Sequence, residues 1–212
     1  MYDCCLGGTH NFAIEAALPE IKPAAIENRT FLRCAVRWMV KQGITQSIDI
    51  GSGPPTASNT HDVAQRLDPA ARVVHVEIDD IAVRQARGII AAQRRRESVS
   101  VILASALEPE TILKHPETAR LIDLGRPVGI VTMPLVHFFL LVQYEPMLAD
   151  FRNVVAPGSY FAMAHGTRDG RTTDVVERTE KAYTMAPMPL YLRPKAETEP
   201  IFQGLQWWSQ GL

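Results

Sequence analysis

The chain has no long apolar run; no stretch approaches the roughly 20 apolar residues that a membrane-spanning helix needs. It has no charge surplus either, with 22 Lys and Arg against 23 Asp and Glu and a net charge of −1. That balance leaves no electrostatic footprint for nucleic acid or an anionic membrane surface, so neither is expected as a partner. Cysteine is scarce and odd in number: three residues, of which Cys4 and Cys5 are adjacent, a spacing that is neither CxxC nor a disulfide framework. With Cys34 in a helical pattern, all three read as reduced thiols of a cytoplasmic protein. The start, Met1-Tyr2-Asp3-Cys4-Cys5, has neither a basic segment nor an apolar one behind it, so export is not expected. No long repeat recurs, no Gly-x-Ser-x-Gly marks a hydrolase nucleophile, and no Cys/Asp/His spacing makes a metal site.

What the chain does have is alternation. Its 212 residues are 46% hydrophobic and 21% charged, an ordinary globular balance for one large domain. Residues up to about Pro23 read as loop. Phe31, Leu32, Ala35, Val36, Met39 and Val40 then form one face of a helix that Gly43 ends. Gln46 to Ile50 reads as a strand, followed by the turn Gly51-Ser52-Gly53-Pro54-Pro55 and a helix resuming near Thr56 to Ser58. The rhythm continues: strands at Arg72–Ile78, Val99–Leu103, Val128–Met133 and Tyr160–Ala164, helices at Ile81–Gln93 and Glu145–Val155, and a helix or turn over Glu108–Arg120. A last helix starts at Thr172 or Thr173 and runs to Tyr183, and a possible sixth strand lies near Leu205 to Trp208. Five strands alternating with helices predict an α/β fold, a mostly parallel sheet covered on both faces.

In such sheets a ligand sits beyond the carboxyl ends of the strands. Gly51 and Gly53 allow close backbone approach there. Pro54 and Pro55 have no N–H, so the turn lacks the donor array that cradles a pyrophosphate. No third glycine and no Lys-Ser/Thr follows, which argues against NAD and against a P-loop nucleotide. A phosphate-free nucleoside fits better. Glu77, ending Val73-Val74-His75-Val76-Glu77, offers two oxygens to a vicinal diol such as a ribose; its plainer reading is a solvated strand-end charge.

Gln46-Ser-Ile-Asp-Ile-Gly-Ser-Gly-Pro-Pro-Thr56 resembles the first cofactor motif of class I S-adenosylmethionine-dependent methyltransferases. The closer resemblance is to the actinobacterial S-adenosyl methyltransferase family, formerly known only as a domain of unknown function. Its landmarks include Tyr2-Asp3 with Leu6-Gly7-Gly8, Asn11-Phe12, Asn28-Arg29-x-Phe31-Leu32, Val73 to Asp79, Glu108-Pro109-Glu110-x-Ile112-Leu113 and Arg126-Pro127-Val128. Leu135-Val136-His137-Phe138, Pro157-Gly158-Ser159-Tyr160 and His165 continue the series.

The resemblance implies a Rossmann-like methyltransferase fold over 1–212 as a single domain, with S-adenosylmethionine as cofactor and a small-molecule methyl acceptor. It assigns 1–23 to a segment covering the cofactor, with Tyr2, Gly7, Gly8, Asn11 and Phe12 over its methionine end. Residues 24–170 become the cofactor-binding core and 171–212 a helix with an incomplete strand hairpin. Asp49, Gly51 and Gly53 would line the cofactor, Thr56 begin the next helix and Glu77 hold the ribose. Ser105 stands where the family usually has an Asp for the adenine amino group.

His137, beyond the fourth strand, is the candidate general base for an OH or NH acceptor; the other reading is a structural His bonded to backbone. His165 and His75 read as structural, His61-Asp62 as helix surface. A second functional reading is a non-catalytic cofactor-binding or interaction protein of the same fold, suggested by Ser105, the altered Thr9-His10 loop and the short C-terminal region. An open edge is expected beside the fifth strand, covered by the C-terminal tail or by a second copy in a homodimer.

Overall fold

The computed structural model describes residues 21–54, 59–184 and 188–206. At its centre is β1 (Gln46–Ile50), buried along its whole length. Around it lie β2 (Arg72–Glu77), β3 (Val99–Leu103), β4 (Gly129–Thr132) and β5 (Tyr160–Met163) in the order β3-β2-β1-β4-β5. Every pairing is parallel, with Ile48 level with Val74 on one side and Ile130 on the other. The order reverses at β1, so a crevice opens beyond the carboxyl ends of β1 and β4. The expected α/β sheet is therefore what forms. Among the described residues no strand pairs with the outer edge of β5, and no helix is long and apolar enough to cross a membrane.

Helices cover both faces, as parallel strands require. In chain order they are α1 (Ile21–Lys41), α2 (Thr60–Leu67), α3 (Asp80–Ala92), α4 (Pro109–Leu113), α5 (Pro116–Leu121), α6 (Leu141–Val154), α7 (Thr173–Tyr183) and α8 (Lys195–Thr198). Side chains alternate along β1, so Ile48 and Ile50 enter a core beneath α4, α5 and α6 that includes Ile112, Leu121, Met147 and Phe151. On the opposite face Leu32, Val36 and Met39 of α1 pack with Val63 of α2 against Val73 and Val131. Each such fully buried side chain contributes about 1.5–3 kcal/mol of transfer free energy. Gly129 lets α1 approach closely, because a Cβ there would lie 2.9 Å from Ser47 Oγ and 3.1 Å from Met39 Sδ.

Two helices end by the same device with different residues. After α1, Gly43 (φ +90°) donates its N–H to Val40 O and Ile44 donates to Met39 O. After α3, Arg94 adopts φ +56°, donating to Ala91 O while Arg95 donates to Ile90 O. Both close the last carbonyls with a left-handed residue, a conformation glycine accepts freely and arginine does not.

The structure corrects several boundaries. Among the described residues α1 is already helical at Ile21, before the expected end of the loop at Pro23. α2 starts at Thr60, later than 56–58, because extended Asn59 is its cap and donates its N–H to Asp62 Oδ2 at 3.2 Å. α6 begins at Leu141 rather than Glu145, with the Leu140 N–H held by Gln143 Oε1 at 2.9 Å. In place of a sixth strand, α8 and a 3-10 turn (Glu199–Phe202) precede Leu205 and Gln206, neither of which is extended strand; Trp207 and Trp208 lie outside the described residues.

Candidate functional site

Beyond β1 the chain turns through Gly51 (φ +73°) and Gly53 (φ +70°). The two glycines serve different neighbours. A Cβ on Gly51 would lie 2.8 Å from the Leu135 side chain, so Gly51 admits the segment leaving β4. A Cβ on Gly53 would meet none of the described residues within 4 Å, so its bare backbone is open on their side. The Gly53 N–H donates to Glu77 Oε2 at 2.8 Å, while the N–H groups of Ile78 and Asp79 donate to Oε1 at 2.8 and 3.0 Å. A carboxylate has about four acceptor positions, so three N–H donors fix its orientation and leave room for a hydroxyl.

The end of β3 stands next to this carboxylate. Ala104 donates its N–H to Glu77 O at 3.0 Å, and Ser105 follows, its Oγ accepting the Leu107 N–H at 3.2 Å. Its O–H is left to donate. Leu103, level with Glu77 in the sheet, is exposed, as are Ile78 and Ile81 just after it. These three apolar side chains at a polar strand end escaped the sequence reading; the signal available was an isoleucine directly after the strand-end acid.

Asp49 lies behind the turn, almost completely buried. Its Oδ2 accepts from Thr60 Oγ1 at 2.8 Å and from His75 Nδ1 at 3.0 Å; its Oδ1 is buried with no partner among the described residues. Since the carboxylate accepts, His75 carries its proton on Nδ1, and its Nε2 accepts from His61 Nδ1 at 2.8 Å. His61 Nε2 is then 3.5 Å from Asp62 Oδ1, which pairs with Arg95 at 2.8 Å. His61 is thus only 3% exposed, not the surface residue that His61-Asp62 suggested. The helix turns its first residues inward to meet β2. Burial, then the neighbouring His75, push the His61 pKa down to about 4.

A second polar group closes the carboxyl ends of β4 and β5. His137, in the 3-10 turn Val136–Phe138, is buried, and its Nδ1 accepts the Gly166 N–H at 3.2 Å. The neutral ring therefore presents an N–H, not a lone pair, at Nε2. Burial, followed by His165 and Arg193, lowers its pKa to about 3. His165 donates from Nδ1 to Gly166 O at 2.7 Å and receives Arg193 Nη1 at 3.3 Å on Nε2. Arg193, unremarked in the sequence, donates from Nη2 to Phe139 O at 2.7 Å. The Tyr191 N–H reaches His137 O at 2.8 Å and the Arg193 N–H reaches Gly166 O at 3.3 Å, stitching residues 188–193 across both strand ends.

The structure therefore gathers Gly53, Glu77 and Ser105 at one end of the sheet, sets Asp49 behind them, and places Gly51 against Leu135. His137 stands two residues past Leu135, on the β4 side of the crevice. Tyr2, Gly7, Gly8, Asn11, Phe12 and Thr56 lie outside the described residues. A nucleoside carrying a ribose diol and no phosphate fits what is present: an oriented carboxylate with acceptor capacity left, open glycine backbone, and exposed apolar side chains for a base.

Comparison with known proteins agrees. The profile of a family described as S-adenosyl methyltransferase matches residues 1–212. A candidate methyltransferase from Thermobifida fusca is 33% identical, covering 95% of this chain and 77% of its own, with a TM-score of 0.87. A DUF574 family protein from Streptomyces avermitilis is 31% identical, covering 99% and 83%, with a TM-score of 0.90. Burkholderia thailandensis 1,6-didemethyltoxoflavin-N1-methyltransferase, solved with S-adenosylhomocysteine, shares the fold at 16% identity, 82% and 66% coverage and a TM-score of 0.53. No curated protein matches the chain. With its five parallel strands and its glycine turn facing Glu77, the chain belongs to the S-adenosyl methyltransferase family, and S-adenosylmethionine is the cofactor that membership indicates.

Proposed function

We propose that the protein is an active methyltransferase that methylates a small molecule in the cytoplasm. The observation that carries this reading is the Glu77 carboxylate, oriented by three N–H groups beside the open backbone of Gly53. Glu77 receives the ribose hydroxyls, Ile78 and Leu103 flank the adenine, and the Ser105 hydroxyl lies at its edge. The bound cofactor supplies a methyl group already activated by its sulfonium. The chain's own task is then to hold the acceptor in line and exclude water, the positioning contribution to rate. Leu135, packed on Gly51, forms the floor between the cofactor and acceptor sides.

Of the two roles open to His137, the hydrogen bonding favours the structural one. Its Nδ1 is occupied by Gly166 N–H, and withdrawing the ring would release the loop after β5. The acceptor's proton then leaves through solvent or through the acceptor's own acidity. Calorimetry with S-adenosylhomocysteine tests the cofactor site: wild type binds, and Glu77→Ala weakens binding at least about tenfold. Transfer of labelled methyl from S-adenosylmethionine to a small-molecule extract tests activity. Binding without any transfer would support the second reading, a non-catalytic cofactor-binding protein, for which the self-bonded Ser105 turn is the structural argument.

A further inference from the structure

Among the described residues Arg193 is a buried cation with no ion pair. Only 7% of it is exposed. Its guanidinium contacts among the described residues are Phe139 O, His165 Nε2, and the ring faces of Tyr144 and Tyr191, with its carbon 5.4 and 5.1 Å from their centroids. None of these is an anion. An arginine stays protonated at any physiological pH, and a buried charge without an opposite partner is strongly unfavourable. Cation–π contact and one carbonyl offset part of that; the described residues engage two of its five N–H donors.

A neighbouring group is also incomplete. Tyr144 is fully buried with the guanidinium over its ring, and its hydroxyl has no hydrogen-bond partner among the described residues. A buried hydroxyl left unsatisfied is unfavourable by about 1–3 kcal/mol, so a ligand that accepts from it gains that bond. His137 and His165 are both held toward their neutral forms by burial, and in each case Arg193 adds to the effect, while Tyr144 feels Arg193 ahead of the carboxylates of Glu145 and Glu197. Two imidazoles that stay neutral leave the single positive charge intact. It sits at the carboxyl ends of β4 and β5, across Leu135 from Gly51, on the side of the crevice away from Glu77.

We propose that the methyl acceptor is a carboxylic acid whose carboxylate is received by Arg193, with the Tyr144 hydroxyl as a second donor. A planar guanidinium flanked by two tyrosine rings offers its remaining N–H groups in one plane, which the two coplanar oxygens of a carboxylate match better than the tetrahedral oxygens of phosphate. The acid then enters carboxylate first, and its nucleophilic atom is left pointing back over Leu135 toward the cofactor. This assignment rests on the methyltransferase reading for which side is the acceptor's, and its test separates the two.

The test follows the Arg193 Nε–H resonance in 15N-arginine-labelled protein saturated with S-adenosylhomocysteine, assigned by its loss in Arg193→Lys. Acetate, acetamide and inorganic phosphate are titrated in parallel at constant ionic strength. Acetate is expected to give a saturating shift with a dissociation constant in the millimolar range, roughly tenfold tighter than acetamide. Arg193→Lys, which keeps the charge but not the fork, is expected to lose that binding about tenfold, read in both proteins under uniform 15N labelling from the backbone N–H of Gly166, while holding S-adenosylhomocysteine as wild type does. No saturable acetate shift, or equal shifts with acetamide, overturns the proposal. Saturation by phosphate alone overturns the carboxylate assignment. A tenfold loss of S-adenosylhomocysteine affinity in Arg193→Lys overturns it too, since Arg193 would then hold the cofactor's own carboxylate. Failure of wild type to bind S-adenosylhomocysteine at all, with the acetate shift intact, strikes the cofactor reading and leaves the anion site standing.

Discussion

Gly53 donates its backbone N–H to Glu77 Oε2 at 2.8 Å, joining the turn after β1 to the last residue of β2. The glycine turn and the strand-end acid are thus one hydrogen-bonded unit, oriented before any ligand arrives.

Glu77→Gln tests that unit. A glutamine offers one acceptor oxygen where the carboxylate serves three N–H donors, and its NH2 faces them as a fourth. Binding of S-adenosylhomocysteine, measured by calorimetry, should weaken at least about tenfold, and stability in urea should fall by about 1–3 kcal/mol. Unchanged affinity would remove Glu77 from the site.

Gly51→Ala should destabilise by about 1–3 kcal/mol from two separable causes. The backbone is held at φ +73°, and the new methyl would sit 2.8 Å from Leu135. Adding Leu135→Ala to Gly51→Ala relieves the contact but not the dihedral, so the pair should recover part of the loss, beyond what Leu135→Ala alone predicts. Full additivity in urea melts would show that Leu135 had already moved aside.

Arg94→Gly should stabilise by about 0.5–1 kcal/mol. The exposed Arg94 side chain adopts φ +56°, which glycine takes without strain, while the Arg95–Asp62 pair is left in place. Thermal melts decide it; a lower midpoint would mean that the greater freedom of glycine in the unfolded chain outweighs the relief.

Stability should also fall in acid. His61 titrates at about 4 in the folded protein and His137 at about 3, both below the unfolded value of 6.5. Between those values the unfolded chain binds more protons, so stability rises with pH there and is complete above about 6.5. Lowering the pH from about 7.5 to about 5 should lose on the order of 2 kcal/mol through each ring. Urea melts at the two pH values check this, and His61→Phe should remove the His61 share of the slope.

Local pattern was enough for much of the fold. Gln46–Ile50 and Val99–Leu103 form as strands with the boundaries that their apolar character and flanking turns predict. Gly53 and Glu77 were legible as a pair because strand, turn, helix and strand in that order bring one strand end beside the next. What joins elements distant in sequence was not legible. His61 looked like helix surface beside Asp62, and only the packing of α2 on β2 turns it toward His75. Arg193 sits in Tyr-Leu-Arg-Pro with no periodicity or motif, and becomes notable only when Phe139 and His165 fold around it. The start of α2 was misplaced because Asn59 and Asp62 were not read together as a cap.

The stitch from Tyr191 to His137 and from Arg193 to Gly166 and Phe139 sets an order of events on the ribosome. Glu77 can meet Gly53 as soon as β2 has emerged, but the wall around Arg193 waits for residues synthesised long after β3. At typical elongation rates that interval is on the order of 10 s. During it, a nascent chain carries the Glu77 end of the sheet without the residues that pack around His137 and Gly166, so the two ends of the crevice are completed at different times.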